Sequence, residues 1–198
     1  MSGLHSVKPP LRYVRDSRAA TQDNGRVTEE TTTHQVTIRD ARPDEADAVS
    51  EVIRAAYAQF ESSYPADWSR YFEMVVKVER HYENAQIIVA EQAGRLVGTV
   101  MFYPDGSLSA QGPWPEASAG VLRLAVIPEA RGLGLAHRLT EECIRRAREA
   151  AIPTLALHTT DWMPVAKAMY ERMGFVRDVA IDFVPRSGIY AYGYRLEV

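Results

Sequence analysis

Apolar positions along this chain follow two rhythms, and the points where one gives way to the other mark its elements. Short apolar or alternating runs predict strands at 36–40 (Val-Thr-Ile-Arg-Asp), 87–92, 96–103 and 155–160. Gly94-Arg95 joins the second and third as a hairpin turn. Ala46, Val49, Val52, Ile53, Ala56, Tyr57 and Phe60 recur at helical spacing behind Pro43 and Asp44, which predicts an amphipathic helix. Pro65 interrupts the pattern, and Trp68, Phe72, Val75 and Val76 predict a second helix ending near Tyr82. Residues 104–118 form a Pro/Gly/Ser-rich loop, and strands are expected near 176–184 and 189–196. The expected order is β-α-α-β-β-β-α-β-α-β-β, an α/β (α+β) chain whose mixed sheet is flanked by helices.

The stretch Val121–Thr140 carries the most chemistry. Its start is a short apolar strand stopped at Pro128, and Leu135, Leu139, Cys143 and Ala147 then define one face of a helix. Between them lies Arg131-Gly-Leu-Gly-Leu-Ala136. A strand that turns through glycines into a helix gathers free backbone N–H groups at the positive end of the helix dipole. That is an anion site suited to a pyrophosphate. Gly132, Gly134 and Ala136 leave room for close approach to the main chain. The dinucleotide fingerprint is absent, because His137 stands where its third glycine belongs, and no Gly-Lys-Ser/Thr follows. Taken alone, these residues also fit a glycine turn with no ligand.

A second segment follows the strand 155–160. In Asp161-Trp-Met-Pro-Val-Ala-Lys-Ala-Met-Tyr-Glu-Arg-Met-Gly-Phe175, Pro164 suits a first helical turn. Ala166, Met169, Tyr170 and Met173 share a face, and Gly174 ends the helix. Together the two segments resemble the GNAT N-acetyltransferase superfamily. The first is similar to its acetyl-CoA motif, Arg/Gln-x-x-Gly-x-Gly/Ala between strand and helix, and the second to its element ending in Tyr-x-x-x-Gly-Phe. The resemblance covers roughly residues 36–196, with the motifs confined to 121–175. It implies the GNAT fold: a mixed, mostly antiparallel sheet in which a splayed strand pair binds acetyl-CoA.

The resemblance also implies transfer of an acetyl group from acetyl-CoA to a primary amine by direct attack in a ternary complex. The amides of Arg131, Gly132, Leu133, Gly134, Leu135 and Ala136 would hold the pyrophosphate, and Leu124, Ala125 and Val126 the pantetheine arm. Tyr170 stands at the family's tyrosine, whose phenol protonates the departing thiolate. For the general base, Gly120 and Leu122 cannot serve, and His158, twelve residues before the tyrosine, is the candidate beside a plain strand histidine. Arg123 alternates away from Leu122 and Leu124 and reads as structural. Met163 replaces the family's frequent Asn at a coenzyme-contacting position and cannot make its hydrogen bonds. The acceptor region is expected around Tyr57, Phe60, Tyr64 and Trp68 on one side and Asp182, Tyr190 and Tyr192 on the other, with Asp182 read first as a surface carboxylate.

Composition sets the frame. The 198 residues are 46% hydrophobic, enough for one full core, and a net charge of −3 points away from nucleic acid. The lone Cys143 lies on an apolar helix face and reads as a core thiol. With no long apolar run and no apolar leader, a cytoplasmic protein with no membrane partner is expected. Residues 1–35 are poor in large apolar side chains and read as a mobile tail, leaving 36–198 as the domain. No metal site is expected. A small-molecule amine is the favoured acceptor. The alternatives are a protein N-terminal or lysine acetyltransferase, and a sensor that binds acetyl-CoA without turnover. A homodimer through the terminal strands is compatible with the resemblance.

Overall fold

The computed structural model describes residues 35–63, 67–184 and 189–198. The expected tail falls outside the described residues up to position 34, and so does Tyr64. The elements are β1 (Val36–Asp40), α1 (Ala46–Tyr57), α2 (Trp68–Val76), β2 (Gln86–Gln92), β3 (Arg95–Tyr103), β4 (Ser118–Val126), α3 (Leu135–Glu149), β5 (Thr154–Thr159), α4 (Pro164–Arg172), β6 (Val176–Arg177) and β7 (Tyr192–Glu197). Short 3-10 turns link several of them, notably Ala58–Ser63, Glu79–His81 and Val179–Ile181.

One seven-stranded sheet has the order β1-β2-β3-β4-β5-β7-β6. Its pairs are antiparallel except β4 with β5, which run parallel across the α3 crossover. Every β3 residue after Arg95 is buried, which requires cover on both faces of the sheet. Helix α3 covers one face, where Leu139 lies against Gly98, and α1 packs on β3 and β4 from the other, with α2 against it. Val49, Ile53, Val100, Met101, Leu139, Leu155 and Leu157 are almost wholly buried between these layers, as is Cys143, whose thiol pKa burial pushes up. At the edge, Arg39 donates to both Glu45 and Glu91 and ties β1 to the start of α1 and to β2. No helix among the described residues is long and apolar enough to cross a membrane.

Three sequence expectations shift. The helices end earlier, at Tyr57 and Val76; α1 continues as a 3-10 turn, whereas α2 is stopped by extended Lys77 ahead of the separate turn Glu79–His81. The hairpin turn is Ala93-Gly94, both at positive φ, and Arg95 already belongs to β3. The strand expected near 176–184 reduces to two residues of β6, followed by a 3-10 turn and a single bridge, Phe183 to Ala191. Asp178 is the cause: its carboxylate accepts the Ala180 N–H and folds the chain back, and Ile181 then sits where a Cβ on Gly193 would be.

Candidate active site

Strands β4 and β5 stay paired only from Ser118–Thr154 to Val121–Leu157. Beyond that point β5 continues against β7 and β4 continues against β3, so the two part company. A bulge helps to drive them apart. Between Met101–Leu122 and Thr99–Ala125, the single residue Val100 faces both Arg123 and Leu124. An extra residue bends its strand and increases its twist. Arg123 takes the strain, with φ +52 in the left-handed region that non-glycine residues rarely adopt. The free edge of β4 over Leu124–Val126 therefore keeps backbone groups without a β5 partner. At the end of β5, the buried hydroxyls of Thr159 and Thr160 also lack a hydrogen-bond partner among the described residues. Orphaned polar atoms along a gap are what an extended, amide-bearing ligand would satisfy.

The bulge also overturns the simple alternation expected for Arg123. Its Nη1 donates to the Val75 carbonyl at 2.8 Å and to His81 Nε2 at 3.0 Å. His81 is buried, accepts at Nε2 and so presents Nδ1–H to the Tyr103 hydroxyl. Burial, reinforced by Arg123 and Arg80, pushes the His81 pKa down to about 3.

The glycine turn lies between β4 and α3. Gly132 and Gly134 hold φ +80 and +70, and a Cβ on either would meet nothing within 4 Å. These glycines are required for their conformation, and the space above them is open. None of the amides from Gly132 to His137 finds a protein acceptor among the described residues; the first bond of α3 is Arg138 N–H to Gly134 O. Arg131 differs: its N–H is already given to Pro128 O, and its guanidinium reaches Gln59 and the Ala56 carbonyl. Leu133 is exposed, Leu135 buried in the core and Ala136 half-buried. Six free N–H groups at the start of a fifteen-residue helix are donors from which an anion could accept.

Tyr170 is buried in α4 with its ring against Phe175. Burial raises its pKa, and the hydroxyl has no hydrogen-bond partner among the described residues. Met163 is the residue before α4; its N–H bonds Thr160 O, and its side chain packs on the core. His158 is clamped edge-on between Trp114 and Phe183, both at 4.8 Å, and its Nε2 lies 2.8 Å from the Ile181 carbonyl. Burial lowers its pKa, partly opposed by the carbonyls of Ile181 and Pro113 and by Asp182.

Asp182 is fully engaged. It pairs with Arg177 through both oxygens and accepts from Tyr190 and the Gly193 amide, so its pKa falls well below the carboxylate range. Tyr192 donates to Asp161. On the other side, Phe60 contacts Trp162 at 4.9 Å, and Tyr71 meets the same indole at 6.5 Å. These rings reach from the α1–α2 region to the start of α4. Sequence reasoning missed Trp162, Thr159 and Thr160; Arg123 had a visible signal, a lone charge inside an apolar strand.

A family model for the acetyltransferase (GNAT) family matches residues 51–175. A mycothiol acetyltransferase from Cellulomonas flavigena is 32% identical over 120 residues, 58% of this chain and 34% of that protein. The chain thus spans about a third of the length of the curated relatives it matches. Among solved structures, a GNAT-family protein from Desulfovibrio desulfuricans superposes with TM-score 0.64 at 19% identity, over 82% of this chain and 99% of that one. The PaiA N-acetyltransferase of Thermoplasma acidophilum, solved with coenzyme A, gives 0.63 at 14% identity with the same coverage. With the fold, the parted strands and the glycine turn all in register with the matched region, the chain belongs to the acetyltransferase (GNAT) family, whose cosubstrate is acetyl-CoA.

Proposed function

We propose that the chain transfers the acetyl group of acetyl-CoA to the nitrogen of a primary amine, by direct attack with both substrates bound. The single observation that carries this reading is the parting of β4 from β5 after Val121–Leu157, which leaves the β4 edge at Leu124–Val126 without a β5 partner ahead of the free amides at Gly132–His137. The turn amides would hold the pyrophosphate, and the unpaired edge of β4 would align the pantetheine arm as an added strand. Acetyl-CoA supplies a reactive thioester; amine attack on its carbonyl forms the C–N bond, breaks the C–S bond and releases a thiolate. A β4 amide facing the carbonyl oxygen would stabilise the charge that develops there. Tyr170 keeps its proton because burial raises its pKa, so it serves as the acid for the departing sulfur.

The ammonium must lose a proton before it can attack. A neutral His158 spends its single N–H on the Ile181 carbonyl at Nε2, and burial lowers its pKa, which makes the remaining Nδ1 lone pair a weak base. Its geometry favours a positioning role, in which it fixes the Ile181–Phe183 segment to β5 and water receives the proton. A small amine is favoured over a protein acceptor because Phe60, Tyr71 and Trp162 narrow the approach from the α1–α2 side. The test is acetyl-CoA-dependent thiol release across a panel of amines and peptides, with acetyl-CoA binding by calorimetry in parallel. Turnover with small amines supports the reading. Turnover with peptides alone replaces the acceptor class, and binding without any turnover leaves a sensor.

A further inference from the structure

We propose that Arg123 recognises a carboxylate on the acceptor, so that the preferred substrates are amino acids or related amines that carry one. This rests on the acetyl-transfer reading above and adds the acceptor's chemistry to it.

The position is unusual in three independent ways. Arg123 is the only charged residue in the run Val121–Val126. It holds a left-handed φ in mid-strand at the bulge that parts β4 from β5. Strain of this kind is retained where the surroundings demand it, and it clusters at ligand sites. The guanidinium is also only half used. Nη1 is pinned by Val75 O and His81 Nε2, while Nε and Nη2 donate to nothing among the described residues. Neither of those nitrogens is a buried orphan, so that edge opens onto accessible space. The Nε–Nη2 edge of a guanidinium is a planar fork with two parallel N–H bonds, the shape that binds a carboxylate through both oxygens.

Electrostatics point the same way. Arg123 has no ion pair among the described residues; the groups that favour its charge are the phenols of Tyr57, Tyr71 and Tyr103, while burial and Arg80 oppose it. A half-buried cation without a counter-ion is costly, and an incoming anion offsets that cost. Position links the fork to the chemistry. Arg123 sits at the bulge just past the last β4–β5 pair, one residue before the unpaired edge at Leu124–Val126. The ring cluster of Phe60, Tyr71 and Trp162 gives the acceptor's body an apolar wall. A plain strut from the bulge to α2 needs Nη1 alone and leaves the open edge unexplained.

The test compares kcat/KM for amino acids from glycine to tryptophan with their carboxamides and decarboxylated amines, in the full chain and in Arg123→Gln and Arg123→Lys. The natural chain should prefer acid over amide by about tenfold to a hundredfold, the range of a charge-assisted hydrogen bond. Arg123→Gln should lower that ratio about tenfold or more relative to the natural chain by raising KM for the acids, with acetyl-CoA affinity unchanged. Comparing that ratio between the natural chain and the variants cancels the difference in amine basicity, which is the same for all of them. If Arg123→Gln fails to bind acetyl-CoA, Arg123→Lys carries the comparison: it keeps a cation, loses the fork and should lose most of the preference. Equal use of acid and amide by the natural chain, or a preference that survives in both variants, overturns the assignment while acetyl transfer stands. If no acid, amide or simple amine is acetylated although acetyl-CoA binds, the small-amine acceptor class fails and this inference falls with it.

Discussion

Gly134 turns the chain into α3 with φ +70, and nothing stands within 4 Å of where its Cβ would be. A valine there costs about 1–2 kcal/mol of backbone strain without a core clash. Its larger effect is to place a branched side chain in the space above the free amides. Gly134→Val is expected to lower Tm modestly and weaken acetyl-CoA at least about tenfold by calorimetry; unchanged affinity would remove the turn from the coenzyme site. Tyr170→Phe should reduce kcat by about a hundredfold with acetyl-CoA affinity intact. Because burial raises the phenol's pKa, the natural enzyme should lose no activity to phenol ionisation up to about pH 10. An alkaline limb that vanishes in Tyr170→Phe would contradict this. At His158, alanine removes an imidazole wedged between Trp114 and Phe183. The expected result is a lower Tm with an unaltered shape of the pH–rate profile, and a displaced acid limb would restore the imidazole as the base.

At the scale of elements, the informative feature is that β4 serves two partners in succession. Its first half is locked between β3 and β5, and its second half keeps only β3. Hydrogen exchange should therefore show β4 amides around Leu124–Val126 and the turn at 132–137 gaining protection when acetyl-CoA is added. The paired region Ser118–Val121 should change little. Equal protection with and without the coenzyme would mean that the gap is not where it binds. The same division explains why some of the site was legible beforehand and some was not. Strand, glycine turn and helix are local features, fixed by spacing and by conformations that glycine alone adopts cheaply, and they lie where the pattern put them. The bulge is not local. It exists because β3 supplies one residue opposite two, so nothing in the strand's own alternation announced that Arg123 would leave the expected face.

For the whole molecule, several titrating groups couple stability to pH in one direction. The unfolded chain protonates His81 near 6.5, whereas the folded chain resists until about pH 3. Between those values the unfolded state binds the extra proton, so stability falls as pH falls. Glu45 and Glu142, each held down to about 2 by arginine partners, add a further loss as pH drops below their unfolded value of 4.5. Tm should be level from pH 8 to 7, decline from 6.5 and fall faster below 4.5. His81→Gln should flatten the upper part of that decline, and a constant Tm between pH 6.5 and 4.5 would show that His81 is not held neutral by burial.

By itself the sequence determined the order of elements, the placement of the glycine turn and Tyr170, and the fold class, because periodicity, turn chemistry and caps act over a few residues. It also carried Asp182, Tyr190 and His158 as candidates but not their partners. Arg177 closes on Asp182, and Ile181 on His158, only when β6, the 3-10 turn and β7 meet. The tertiary structure alone decided where β4 leaves β5, which N–H groups remain free and which edge of Arg123 stays open. Each of those depends on hydrogen bonds between residues tens of positions apart, for which a single chain's local pattern carries no signal.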